Sequence, residues 1–204
     1  MKNVGTWEDA PQAAKLLQEG KVVTFPTETV YGVGVVFDKE SAFKDLVALK
    51  KRPPNKPFSM MCDSLERAEP FLDIGPKERK TLAFFLPGEL TFLLKAKSNL
   101  PSFVTLGTNI VGLRVPDSEE VISLLSMVGK PCLVTSANIS GEPTAKTFEE
   151  LDSSFLEKSF VIRGKCVSHL ASTIVDLTGN NPLLIRQGKV PFSDIVSYWN
   201  SLSE

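Results

Sequence analysis

Histidine is almost missing from this chain of 204 residues, where His169 stands alone. A metal centre built from several histidines is thereby excluded, as is any cysteine–histidine pair that does not use His169. Cysteine is scarce and scattered, at Cys62, Cys132 and Cys166, with no CxxC spacing. That pattern argues for reduced thiols in a cytoplasmic setting rather than a disulfide frame or a zinc site. No apolar run reaches the roughly 18 residues that a membrane-spanning helix needs. The opening MKNVGTWEDAPQAA lacks the apolar centre of a secretory signal, so none is expected. Net charge is −1, so no global field favours nucleic acid, although a local basic patch remains compatible with it. Three signatures are absent as well: a GxxxxGK(S/T) phosphate loop, a GxGxxG after a strand, and a GxSxG elbow.

What is present is an ordinary soluble composition, 42% hydrophobic and 23% charged, in a length that suits one domain. TWEDAPQAAKLLQEG reads as a helix, with Thr6 and Asp9 as a capping pair, Ala13, Ala14, Leu16 and Leu17 on one face, and Gly20 as the stop. KVVTFP follows as a short buried strand. DKESAFKDLVALKKR is a second helix, ended by the Pro53–Pro54 pair. PFSMMC, ELTFLLK, NIVGLRVP and PCLVTS read as strands, and KERKTLAFFLP and SEEVISLLSMVG as helices. FVIRG, STIVDL and LLIRQG supply shorter strands before a helix from Phe192 to about Leu202. Strands and helices alternate, but several strands follow one another directly. The expectation is a single α/β or α+β domain around a mixed sheet.

Five places could carry chemistry. In TFPTETVYGVG, Thr27 and Thr29 straddle Glu28; in an extended chain both threonines point to one side and Glu28 to the other. Gly32 and Gly34 then allow the backbone a close approach. A hydroxyl-rich turn with no ligand is the simpler reading. LKKRPPNKP sets Lys50, Lys51, Arg52 and Lys56 together, either as a solvated helix end or as an anion clamp. VTSANISGEPT offers Ser136, Asn138, Ser140 and Thr144 after an apolar strand, at a position where α/β proteins bind ligands, or merely a self-satisfied turn. Arg114 and Arg186 lie inside apolar strands, facing either solvent or a shared anion. This inventory suits a site that positions substrates and stabilises negative charge better than one driven by a histidine base.

FPTETVYGVG, LKKRPPNKPF, PGELTFLLK, GLRVP, TSANISG, STIVDL and LLIRQG occur in that order. Together they resemble the YrdC/Sua5 family, the threonylcarbamoyl-AMP synthases. The resemblance runs from about residue 22 to residue 188. It implies one catalytic domain over residues 1–204 of the short form, without the C-terminal domain of the long Sua5 form. It implies a twisted, mostly mixed α/β sheet flanked by helices, with a large concave basic cavity. The implied activity is that of a nucleotidyltransferase: L-threonine, bicarbonate or CO2, and ATP with Mg2+ become threonylcarbamoyl-AMP and pyrophosphate. Partner proteins of a threonylcarbamoyl-transferase complex then pass the group to adenosine 37 of ANN-decoding tRNAs, which the chain itself would meet indirectly or by direct binding.

Carried over by position, the resemblance puts Thr27, Tyr31, Arg114 and Ser172 at the threonine substrate. It puts Lys50 and Arg52 in a catalytic pair facing the ATP phosphates. Lys56, Ser136, Asn138, Thr144 and Arg186 fall around the nucleotide. Met61 departs from the pattern, standing where long-form members carry a threonine-contacting histidine, and Ile110 replaces a threonine common in the family. Other readings are a double-stranded RNA or tRNA-binding module, a YciO-like paralogue without full synthase activity, and a hydrolase-like enzyme acting on another acyl-adenylate. The intact TSANISG argues against the paralogue.

Overall fold

The computed structural model describes residues 3–53 and 55–203. Strand β1 (Val4–Gly5) leads into the expected cap: the Thr6 hydroxyl accepts the Glu8 amide, and the Asp9 carboxylate accepts the Thr6 amide at 2.8 Å. After one 3-10 turn, helix α1 (Ala10–Glu19) starts with Pro11 in its first turn, where a missing N–H costs nothing, and stops at Gly20 with φ 87°. Strand β2 (Val23–Pro26) is wholly buried. A four-residue turn then sends the chain straight back as β3 (Tyr31–Val36), paired antiparallel from Pro26–Tyr31 to Val23–Gly34.

Strand β3 is not predicted, because glycines inside YGVGVV weaken a strand assignment. Its glycines also serve another purpose than the expected approach to a ligand. A Cβ on Gly32 would lie 3.2 Å from Val134 Cγ1, and one on Gly34 2.8 Å from Val134 Cγ2 and 3.0 Å from the Leu133 carbonyl. The missing side chains admit the neighbouring strand.

Helix α2 (Glu40–Lys50) buries Ala42, Leu46, Leu49 and Lys50. It ends with Lys51 in the left-handed region, φ 48°, two residues before Pro53; Pro54 lies outside the described residues. Then follow β4 (Ser59–Met61), α3 (Leu65–Ala68), β5 (Leu72–Asp73), α4 (Pro76–Phe85), β6 (Leu90–Ala96), α5 (Ser102–Thr105) and β7 (Ile110–Arg114). Helix α6 (Glu119–Val128), capped by Ser118, precedes β8 (Cys132–Ser136). The chain finishes with α7 (Ser153–Lys158), β9 (Phe160–Ile162), β10 (Thr173–Asp176), β11 (Leu183–Arg186) and α8 (Phe192–Ser201).

One sheet runs β1-β9-β2-β3-β8-β4-β7-β6-β10-β11, with β5 beside β6. It is mixed: β2–β9, β4–β7 and β6–β10 are parallel, whereas β2–β3, β3–β8, β4–β8 and β6–β7 are antiparallel. Helices α1 and α6 cover one face over Phe25 and Val134, while Tyr31, Val33, Leu46, Met60, Phe92 and Leu113 pack on the other. Strand β11 is apolar in sequence yet exposed along its length, as the edge of the sheet. The three cysteines are free and buried. Among the described residues no helix is long and apolar enough to cross a membrane.

Register shows how strongly this sheet coils. Arg114 is level with Met61 and Cys132, and Cys132 with Val36, so Arg114 lies at the far end of β3 from the turn before Tyr31. In a flat sheet Thr29 and Arg114 would be roughly 25 Å apart, three strand spacings across and about six residues along. They are hydrogen-bonded at 2.8 Å. The right-handed twist of the strands has therefore wrapped the sheet around this turn.

The close approach at β3 is testable by Gly34→Ala. It should lower stability by about 1–3 kcal/mol through overpacking, read as the urea midpoint. Adding Val134→Ala should recover part of the loss, because it clears the atom nearest the new methyl.

Candidate functional site

The turn between β2 and β3 is closed by its own hydroxyls. Thr27 Oγ1 accepts the amides of Thr29 and Val30 at 3.1 and 3.3 Å and donates to the Val30 carbonyl at 2.7 Å. Thr29 Oγ1 lies 2.8 Å from Thr27 Oγ1. The single Thr27 proton goes to the carbonyl, so Thr29 is the donor in that contact. Arg114 Nη2 in turn donates to Thr29 Oγ1 at 2.8 Å and to Glu28 Oε1 at 2.6 Å. The result is a directed chain, Arg114 to Thr29 to Thr27 to the Val30 carbonyl. The threonines do share a side, but Glu28 reaches the same guanidinium nitrogen as Thr29, because the chain turns here instead of staying extended.

Glu28 and Arg114 form a buried ion pair. Removing either partner would strand a charge in the interior. A second segment covers the turn: the amides of Val167 and Ser168 donate to the Glu28 carbonyl at 3.2 and 2.8 Å. Tyr31, fully buried, donates its hydroxyl to the Gly164 carbonyl at 2.8 Å and accepts the Gly164 amide at 2.9 Å. Burial raises the phenol pKa, so the hydroxyl keeps its proton.

Ser172 and Arg186 join the same neighbourhood through Thr91, which sits one step beyond the Phe92–Leu113 pair, beside Arg114. Ser172 Oγ lies 2.9 Å from Thr91 Oγ1. Arg186 donates Nε and Nη2 to the Ser172 carbonyl at 3.0 and 2.8 Å, and Nη2 to Ser172 Oγ at 3.2 Å. Loss of solvent and the charge of Arg114 both lower the Arg186 pKa. Met61 is buried level with Arg114 and offers a thioether where the family resemblance implies an imidazole; Ile110 is half-buried at the start of β7.

The second centre is the loop after β8. Lys50 Nζ donates to the Ser136 carbonyl, to the Asn138 carbonyl at 2.7 Å and to Asn138 Oδ1 at 3.3 Å. Its own carbonyl accepts the Ser140 amide at 2.9 Å. All three ammonium protons thus hold the loop from beneath. Asn138 completes it, donating to the carbonyls of Ile139 and Glu142 and accepting from Ser136 Oγ at 2.6 Å. Ser140 Oγ is buried without a partner among the described residues. Arg52 staples the following segment, donating to the carbonyls of Lys56 and Pro57 at 2.7 and 2.6 Å, reaching Thr135 Oγ1 at 3.4 Å and lying over the Phe58 ring. Lys56 is exposed and Thr144 half-buried at the mouth of the loop.

The two centres meet at one backbone. The Tyr31 amide donates to the Ala145 carbonyl at 2.9 Å, and the Tyr31 carbonyl accepts the Ala137 amide at 2.7 Å. Thr27, Tyr31, Arg114, Ser172 and Arg186 therefore share one side, and Lys50, Arg52, Ser136 and Asn138 the other. Sequence reasoning left Glu28, Thr29, Thr91 and Ser168 without a role. Thr91 carried a signal, as a hydroxyl inside the apolar ELTFLLK, whereas nothing marks Ser168. Two surface clefts, about 570 and 430 Å3, lie elsewhere and contain none of these residues.

Known proteins resemble this chain over most of its length. The Sua5, YciO and YrdC family model, described as "Telomere recombination", matches residues 15–188. A protein of Pyrococcus abyssi called threonylcarbamoyl-AMP synthase is 35% identical over 90% of this chain, which spans 55% of that protein's length. A protein of Escherichia coli with the same name is 35% identical over 86% of this chain and 94% of its own. The structure of P. abyssi Sua5 complexed with L-threonine superposes with a TM-score of 0.88 at 34% identity, over 94% of this chain and 57% of that one. Escherichia coli YciO, at 24% identity and a TM-score of 0.83, shares the fold.

Burial, with the charges of Arg52 and Lys56 adding to it, lowers the Lys50 pKa from its ordinary 10.5 to about 7. Between those values the unfolded chain holds a proton that the folded one has released. Stability should therefore rise with pH across that window, and the full penalty applies below about pH 7. Urea unfolding of Lys50→Met should lack that component of the pH slope.

Proposed function

The chain belongs to the Sua5, YciO and YrdC family, and on that premise we propose that it is a threonylcarbamoyl-AMP synthase. It would join L-threonine, bicarbonate or CO2, and ATP into threonylcarbamoyl-AMP, with release of pyrophosphate. The carrying observation is 35% identity to a protein of that name over 94% of that protein's length. The site geometry supports the reading. A buried arginine set by a hydroxyl turn suits an amino-acid carboxylate, and a cation-braced loop suits a nucleotide.

On the threonine side, Arg114 would take the carboxylate, with Thr27 setting the guanidinium and Tyr31 and Ser172 lining the pocket. On the nucleotide side, Arg52 and Lys56 would face phosphate charge and Ser136, Asn138 and Thr144 would surround the adenylate; Arg186, held on the threonine side by Ser172, would reach the phosphates from there. Lys50 would act on that half through the loop it holds. A carbamate must attack the α-phosphorus while pyrophosphate leaves. Both reactants are anions, so orientation and charge neutralisation account for most of the barrier that the protein lowers. Mg2+ would arrive on the ATP phosphates; among the described residues no cluster of acidic, histidine or cysteine side chains is placed to hold a metal ion by itself. The product would pass to threonylcarbamoyl-transferase proteins acting on tRNA in the cytoplasm.

Incubation with ATP, Mg2+, bicarbonate and L-threonine should release pyrophosphate only when threonine is present. Thr27→Val should raise the KM for threonine by about fivefold, the worth of one neutral hydrogen bond that sets the guanidinium through Thr29, and leave that for ATP unchanged. Lys50→Ala and Arg52→Ala should lower the rate by about 100-fold even at saturating ATP. RNA binding without pyrophosphate would replace this reading with that of a binding module.

A further inference from the structure

Among the described residues, three buried polar atoms without a partner surround the Thr27–Val30 turn: Glu28 Oε2, Arg114 Nε and Ser168 Oγ. The first two belong to opposite halves of one ion pair, joined through Arg114 Nη2 and Glu28 Oε1. Glu28 is 6% exposed and Arg114 9%. Buried charged groups normally fill their hydrogen-bonding capacity, because each vacant position carries a desolvation penalty. Here an acceptor and a donor stay open on one buried pair, beside a third open hydroxyl on the segment that covers it.

That is the complement of a zwitterion. We propose that Glu28 receives the α-ammonium of the amino-acid substrate and takes its first proton, while Arg114 receives the α-carboxylate. The inference rests on the synthase reading above and adds to it a residue in direct contact with the reacting nitrogen. The ion pair is neutral, and so is a free amino acid. Placing one against the other buries alternating charges with no net charge, the arrangement that minimises the desolvation penalty. Thr29 and Thr27 hold the guanidinium while its remaining N–H groups face the ligand. A hydroxy acid without the amine would satisfy Arg114 and leave Glu28 Oε2 vacant.

The reaction needs a group at this position. The amine of a free amino acid is protonated at neutral pH and has no lone pair to attack carbon. One proton passes from the ammonium to Glu28 Oε2, leaving R–NH2 and a carboxylic acid. The nitrogen lone pair then forms the N–C bond to CO2, a C–O π pair moves onto oxygen, and the second nitrogen proton goes to solvent. The product is R–NH–COO−, and Glu28 returns to its carboxylate by releasing the first proton to solvent. Arg114 from β7 faces Glu28 directly, and its charge in turn reaches Arg186 from β11. Cys166 lies on the covering segment; burial, opposed by a Thr27 backbone contact and reinforced by the Glu28 charge, pushes its thiol up to about 11, so it stays protonated at neutral pH.

The test combines calorimetry with pyrophosphate release. The wild-type protein should bind L-threonine at least about tenfold more tightly than 3-hydroxybutyrate, its deaminated analogue. Glu28→Gln should lose that preference and keep its ATP affinity. Its turnover should fall about 100-fold at neutral pH, the usual effect of losing a general base. The rate should then climb about tenfold per pH unit, as solution supplies the free amine. Equal binding of threonine and the analogue by the wild type would overturn the proposal, as would a Glu28→Gln defect of the same size at every pH. Should Glu28→Gln fail to fold, because Arg114 loses its counter-charge, the wild-type binding comparison decides alone. A wild-type protein that binds threonine but releases no pyrophosphate would sink the synthase reading instead, while an amine preference that Glu28→Gln abolishes would still assign the ammonium contact to Glu28.

Discussion

Tyr31 is the residue on which the rest of the site depends. Its amide and carbonyl hold the loop after β8 at two places, Ala145 and Ala137, and its hydroxyl holds Gly164 in the segment after β9. It is the first residue of β3, fully buried between β2 and β8. Two connections that would otherwise move independently are thus referred to one strand near the middle of the sheet. Loops placed by a packed element hold side chains to tighter tolerances than loops that close only on themselves. The cluster around Thr27 and Arg114 and the cluster around Lys50 and Asn138 keep a fixed relation because both are measured from this residue.

The coil of the sheet does the remaining placement, and the electrostatics show what it is for. Lys50 is pushed down to about 7, Arg52 to about 10, and Arg186 below its ordinary value, in each case first by loss of solvent. Arg114 is held by a buried carboxylate. Folding alone gives no reason to draw four cations toward one region of a chain whose net charge is −1. A protein that accepts such desolvation is less stable without a ligand than a hydrophobic replacement would be. An anion binding there would relieve the same penalty.

Much of this was legible in the chain. The Thr6–Asp9 cap, the Gly20 stop and the apolar spacing of the helices are local signals, and local structure obeys them. Strand β3 was not legible, since glycine reads as a strand breaker and only Val134, about a hundred residues on, explains it. The cations were recognisable as a set, but not what each one holds. Lys50 in LKKR looks like a helix end facing solvent; its burial follows from the loop after β8 passing over it. Arg114 left two readings open, solvent or ligand, and Glu28 supplied a third that spacing cannot reveal: a partner reached only because the sheet coils. Ser168 carried no pattern at all.

The hydroxyl turn changes meaning in that light. A cluster of threonines beside a threonine-using site invites the idea that like recognises like. Yet the Thr27 hydroxyl already donates once, to the Val30 carbonyl, and is surrounded by the Thr29 and Val30 amides and the Thr29 hydroxyl. Thr29 bridges it to Arg114. Little capacity remains on Thr27 for a ligand unless the turn opens. What it acts on, through Thr29, is the orientation of one guanidinium. Valine at Thr29 would keep the shape and β-branching of the turn and remove the bond that aims Arg114, whereas valine at Thr27 would remove the contact that fixes Thr29. The turn is built of threonine because a buried arginine must be held by groups that are small, β-branched and able to donate and accept at once.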